Sequence, residues 1–206
     1  MIIKILSRYF TGKLVALFLL CFLLNSTGFS QEDKKNHLLY SGGMLFFQPG
    51  YTMTKNEFQS VESLGIGIGG LLRFYIKEHL TLGVIGGNQK TSYSSTNSDN
   101  SYISLGYGGV FFGYTLLRDK FRFCAAVSLG MGRIKNLHIE DQNGVVLNSA
   151  SFYSYPAKVA YPMLSFDYFI TKKISVVFQT IYLTAHYNKN DLYFCPVFQL
   201  GIVFNR

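Results

Sequence analysis

Residues 65–87 read GIGIGGLLRFYIKEHLTLGVIGG, and their alternation decides the fold class. Before the charged triplet Lys77-Glu78-His79, the even positions Leu64, Ile66, Ile68, Leu72, Phe74 and Ile76 are large and apolar. The odd positions Ser63, Gly65, Gly67, Gly69, Arg73 and Tyr75 are small or polar. A period of two is a strand with two unlike faces, and the triplet reads as the tight turn of a hairpin. Glycines and an arginine make a poor protein core. They suit a narrow, partly polar lumen, with the large side chains turned to lipid.

Two further segments repeat the pattern. Phe121, Phe123, Ala125, Val127, Leu129 and Met131 alternate with Arg122, Cys124, Ala126, Ser128, Gly130 and Gly132; Leu192, Phe194, Pro196, Phe198, Leu200, Ile202 and Phe204 alternate with Tyr193, Cys195, Val197, Gln199, Gly201, Val203 and Asn205. Short charged turns (77–79, 118–120, 171–173) alternate with longer polar connections (54–60, 94–101, 139–149, 187–191). The segments between them predict eight strands: Leu38–Met53, Val61–Ile76, Leu80–Tyr93, Tyr102–Leu117, Phe121–His138, Ala150–Ile170, Ile174–His186 and Leu192–Phe204. Elsewhere the parity is less clean. Phe112, Val177, Ile181 and Leu183 fall on inward positions, which either fills the lumen or marks a bulge that shifts the register.

Composition agrees with a membrane class. Of 206 residues, 15% are charged and 49% hydrophobic, against a charged fraction of roughly 25% in ordinary soluble domains, so intrinsic disorder is excluded. Residues 1–30 read as a signal peptide, with Lys4, Arg8 and Lys13 before the apolar run Leu14 to Leu24, and cleavage before Gln31. Residues 31–37 then form a short periplasmic segment, and 38–206 the barrel. No later apolar run is long enough for a spanning helix. Without Lys4, Arg8 and Lys13 of the signal, the formal charge of +8 falls to +5, a modest excess that on an exported chain does not argue for nucleic acid.

In this pattern the chain resembles the eight-stranded outer-membrane barrels of Gram-negative bacteria, the OmpA and OmpX type of porin-like domain, over residues 38–206. The resemblance implies an all-β, antiparallel, up-and-down transmembrane β-barrel in the outer membrane, monomeric, with short periplasmic turns and longer extracellular loops. The last strand, CPVFQLGIVF, looks like the C-terminal signal read by the barrel assembly machinery, although Asn205 and Arg206 follow the final aromatic.

Chemistry-bearing residues are few. His37, His79, His138 and His186 lack metal-ligand spacing and read as polar rim residues; no metal and no cofactor is implied. Thr184 and His186 are the best nucleophile-and-base pair, since small barrels that deacylate lipid A place Ser and His two residues apart on one strand. Here the order is reversed and no acidic orienter stands out, so catalysis is not assigned; a lipid A-modifying enzyme remains the alternative function, and a small-solute channel another. The glycine clusters at 65–70, 106–109 and 130–132 lie within strands and lack the context of phosphate loops. Arg73, Arg122 and Asp167 fall on inward positions near periplasmic turns, which predicts a salt-bridge network in the lumen, with Tyr75, Tyr161 and Met163 to fill the rest. Cys124 and Cys195 should lie at opposite ends of the barrel, unbridged.

Counting roughly ten to eleven residues up from the turns crosses an apolar band of about 25 Å. Lys90, Arg133, Lys135 and Lys158 then stand at or just above its outer edge. They either mark where the lipid tails stop or form a ridge for the phosphates of lipopolysaccharide. The function expected is therefore a non-enzymatic outer-membrane barrel with a surface or envelope role, its partners outer-membrane lipid and lipopolysaccharide.

Overall fold

The computed structural model describes residues 40–76, 79–95, 98–143, 146–188 and 191–205; the expected signal peptide and the segment 31–37 lie outside them. Eight strands follow one another: β1 (Tyr40–Lys55), β2 (Ser60–Ile76), β3 (Leu80–Ser95), β4 (Ser98–Arg118), β5 (Phe121–Asn143), β6 (Val146–Phe169), β7 (Ile174–Tyr187) and β8 (Asp191–Asn205). Each pairs antiparallel with the next, and β1 pairs with β8, so the sheet is a closed barrel. Closure gives the ladder no free edge, the condition for a sheet to cross hydrocarbon. No helix among the described residues is long and apolar enough to cross a membrane.

Local chemistry sets the turns. Asp119, between β4 and β5, has φ of 50°, and Asn188, after β7, has φ of 38°. Asp and Asn are the non-glycine residues that tolerate this left-handed region best. After β6, Thr171 Oγ1 accepts from the backbone N–H of Lys173 (3.2 Å) and of Ile174 (3.0 Å), turning the chain back. After β1, Asn56 Oδ1 does the same for Phe58 (3.0 Å) and Gln59 (2.6 Å).

The alternation is observed with the large residues outward: Leu64 and Met131 are each 76% exposed on the lipid face. Tyr75, Tyr161, Met163, Val177, Ile181 and Leu183 are buried inside. Phe112 corrects the inward expectation, being outward and 57% exposed. Its neighbour Phe111 turns in instead on the unbroken alternation of β4, and its ring fills the space that a side chain at Gly83 would occupy. The lumen is also more apolar than the glycine-rich segments suggest, since Ile103, Leu105 and Ile134 are buried in its outer half. Inward glycines make room for this packing: a Cβ at Gly69 would stand 2.5 Å from the ring of Phe46.

The connections expected to be long are shorter than the sequence implies. Ser95 pairs with Ser98 in the β3–β4 ladder, and Asp141, Gln142 and Asn143 pair with Ser149, Leu147 and Val146 in the β5–β6 ladder, with register shifts at Tyr93/Ser95, Ile139/Asp141 and Asp141/Gln142. Outside the apolar band a polar side chain does not stop strand pairing, so β5 and β6 reach 23 and 24 residues.

Candidate functional site

The lumen is held by one chain of polar side chains running through several strands. At the periplasmic end Arg73 Nη1 lies 2.8 Å from Asp167 Oδ2 and 3.2 Å from Oδ1, both residues fully buried. Arg122 Nη1 is 3.7 Å from the same carboxylate and donates to Tyr75 Oη at 2.7 Å. Its guanidinium also lies over the rings of Tyr75 and Phe169, at 4.3 and 4.5 Å. Arg73 Nη2 donates to Gln179 Oε1 (2.7 Å), and Gln179 donates in turn to Gln199. Gln199 Nε2 donates to Gln48 Oε1 (2.9 Å), which also accepts from Tyr107 Oη (2.8 Å), and Gln48 Nε2 donates to Gln89 Oε1 (3.1 Å). Gln179, Gln199 and Gln48 each both donate and accept, whereas Gln89 only accepts, its buried Nε2 and Arg73 Nε having no hydrogen-bond partner among the described residues. Of these glutamines the sequence pattern marks Gln199 alone as inward; that four of them meet across the barrel is seen only in the structure.

Above this chain Thr52 bonds Thr91 (2.6 Å) and Tyr193 (3.0 Å), and Cys195 sits beside them. Cys124 pairs in register with Thr115 and Ser165, near the other end; both thiols are free and buried.

At the mouth the side chains turn aromatic. Phe58, from the β1–β2 turn, stacks on His138 at 3.9 Å, and the rings continue through Tyr153 (5.9 Å) and Tyr155 (6.3 Å) to Tyr187 (6.2 Å). Tyr155 Oη donates to Glu57 Oε1, and this pushes its pKa up to about 12. Glu140, accepting from Ser149 and Ser151, is held below the usual carboxylate range.

The outer wall carries the cations. Lys90 on β3 pairs in register with Ser104 on β4, and Ser104 with Lys135 on β5; two residues lower the row is Asn88, Gly106 and Arg133. The next row holds Gly86, Gly108 and Met131, and Met131 pairs with Lys158 on β6. All four cations are exposed on the outward face, and Lys90 Nζ lies 4.3 Å over the Tyr102 ring. Among the described residues no Asp or Glu shares the outward face of β3–β6 between the periplasmic turns and the level of Lys90 and Lys135.

Solved structures with this architecture include two small barrels. Ail, the attachment invasion locus protein of Yersinia pestis, superposes with a TM-score of 0.52 at 10% identity, covering 82% of this chain and 99% of that one. Neisserial surface protein A gives 0.51 at 12% identity, covering 79% and 96%. The chain has the fold of a transmembrane β-barrel. At such identities the likeness is one of fold. No protein-family model matches the chain, and no curated protein matches it in sequence.

In this barrel Thr184 and His186 both face outward near the rim, but they are not joined. Thr184 Oγ1 donates to the carbonyl of Tyr182 (3.3 Å), and His186 pairs in register with Lys158, a cation where a triad needs a carboxylate. His79 lies against Thr115 O at the opposite end, and His138 is buried under Phe58, not solvated at the rim; His37 lies outside the described residues. Among the described residues no group of His, Cys, Asp and Glu could hold a metal ion.

Proposed function

We propose that this chain is a non-enzymatic integral outer-membrane protein, exported by its N-terminal segment, inserted by the barrel assembly machinery and monomeric. Its outward patch of Lys90, Arg133, Lys135 and Lys158 holds the phosphates of lipopolysaccharide. The observation that carries the reading is the convergence of these four cations on the outward face of three strands, just where the apolar wall ends and with no carboxylate among them. Phosphate contacts there are charge-assisted hydrogen bonds at a low-dielectric boundary, stronger than the same pairs in water.

The other two functions find less support. A channel needs an open path, and the lumen is crossed by the Asp167–Arg73–Gln179–Gln199–Gln48–Gln89 chain. A lipid-cleaving enzyme needs an activated nucleophile, and Thr184 gives its proton to a backbone carbonyl, not to His186. The test replaces Arg133, Lys135 and Lys158 together with Gln. Lipopolysaccharide co-purifying with the barrel should fall while the heat-modifiable gel mobility of the folded protein is unchanged. Unchanged retention of the lipid would reduce the patch to a boundary marker.

A further inference from the structure

The glycines of this barrel are of two kinds. Those pointing inward are needed by the packing, as at Gly69. On the outward face of β2, β3 and β4, Gly70, Gly86 and Gly108 stand in one register row. A Cβ at Gly86 would come no closer than 3.4 Å to any heavy atom, and one at Gly108 no closer than 3.8 Å, which is ordinary contact distance. Neither has the positive φ that would demand glycine. Nothing within the fold requires these two glycines, and strand glycines weaken a sheet. Gly86, together with Gly43 and Gly70, floors a dent in the lipid-facing wall, an open groove of about 720 Å³ walled by Leu45, Leu72, Val84 and Phe204; Gly108 stands beside it in the register row.

The groove leads to the cations. Its glycine row continues to Met131 and then Lys158, two strands or about 10 Å beyond Gly108. Along β3, Lys90 stands four residues, about 13 Å, beyond Gly86. An amphiphile with phosphate on the cations would therefore have an acyl chain over the glycines. A second copy of this face would instead bring four cations of one barrel against four of the other.

We propose that the groove is an acyl-chain site, and that groove and cations together bind one phosphorylated, multiply acylated glycolipid of the lipid A class. This deepens the lipopolysaccharide reading and rests on it for the headgroup, but the groove can be tested apart. Inside a bilayer no hydrophobic gain separates one apolar surface from another, so the groove selects by close packing.

The test compares wild type, the glycine variant Gly86→Val, the cation variant Lys90→Gln/Arg133→Gln/Lys135→Gln and, as a control for bulk elsewhere on the wall, Ala125→Val. Each full barrel is reconstituted in phosphatidylcholine nanodiscs. The probes are hexa-acylated bisphosphorylated lipid A and its fully deacylated bisphosphorylated disaccharide. The glycine variant should fold with the heat-modifiable mobility of wild type, bind lipid A about tenfold more weakly, and bind the disaccharide as before. The cation variant should lose both probes, and Ala125→Val neither. Wild-type affinity for lipid A in the glycine variant would overturn the groove, as would loss of self-association in its place. Failure of that variant to fold would overturn it too, because the glycine would then be structural. If the cation variant keeps both probes, the headgroup reading fails and the inference built on it fails as well; weakened lipid A binding by the glycine variant alone would then mark a groove for acyl chains without phosphate recognition.

Discussion

Replacing Asp167 with Asn keeps the shape of the side chain and removes its charge. In the folded barrel Arg73 lies at 2.8 Å and Arg122 at 3.7 Å from Asp167 Oδ2, with Arg73 and Asp167 both 0% exposed. The variant leaves two guanidiniums facing each other in one layer of the lumen with no anion between them. Removing one partner from a buried pair typically costs about 3–5 kcal/mol, because the orphaned charge stays desolvated. At a urea slope of about 2 kcal/mol per molar, the unfolding midpoint should fall by roughly 2 M. Unfolding of the protein in lipid vesicles can be followed by tyrosine fluorescence, since the chain has no Trp and 15 Tyr. Arg73→Met combined with Asp167→Leu should recover part of the loss, because it removes the fully buried guanidinium along with its carboxylate and leaves only Arg122, which keeps its hydrogen bond to Tyr75 Oη. A shift below about 0.5 M for Asp167→Asn would refute the argument that this carboxylate neutralises the lumen.

Other outcomes follow from the same geometry. In planar bilayers the folded wild-type barrel should give no sustained ion current, and a steady open level would contradict the filled lumen. Gly69→Val should prevent formation of the heat-modifiable folded band, because its Cβ meets the Phe46 ring at 2.5 Å; a normally folded variant would refute that packing. Tyr155 is stabilised in its neutral form by donating to Glu57. That contribution is present below the ordinary tyrosine pKa of about 10 and is lost as pH rises through about 12. The ultraviolet difference titration of wild type minus Tyr155→Phe should show it, and Glu57→Gln should move the transition down.

The strand count and most of the register were legible because one side of every strand faces a uniform solvent. Lipid excludes charged side chains and favours large apolar ones, so Leu64 to Ile76, broken only at Gly70 and Leu71, and Phe121 to Met131 carry the period of two. The inner face meets no such constraint. Phe111 and Phe112 look alike in sequence; the unbroken alternation of β4 from Ser101 to Thr115 turns Phe111 in, and Gly83 on the neighbouring strand leaves room for its ring. The glutamine chain was hidden for a related reason: Gln48 and Gln199 stand 151 residues apart, and their meeting depends on the stagger of the closed sheet. The hairpin extensions at Asp141 and Ser98 were misread as loops because, beyond the bilayer, polar composition no longer separates paired from unpaired chain. Of the outward patch, the cations could be counted up from the turns, whereas the glycine row beneath them appears only when three registers are laid side by side.

The polar chain through the lumen also constrains how the protein can be made. Arg73, Gln48 and Gln89 belong to the first four strands, and Asp167, Gln179 and Gln199 to the last four. A half-built sheet in the bilayer would carry the arginine without its carboxylate, along with an open edge, and each is costly in hydrocarbon. Neutralisation of the interior and closure of β1 on β8 must then happen together. Non-local pairing of this kind is slow to form, and a nascent chain has no stable stopping point on the way. The catalyst of insertion proposed above would serve this interior by holding the sheet until both happen.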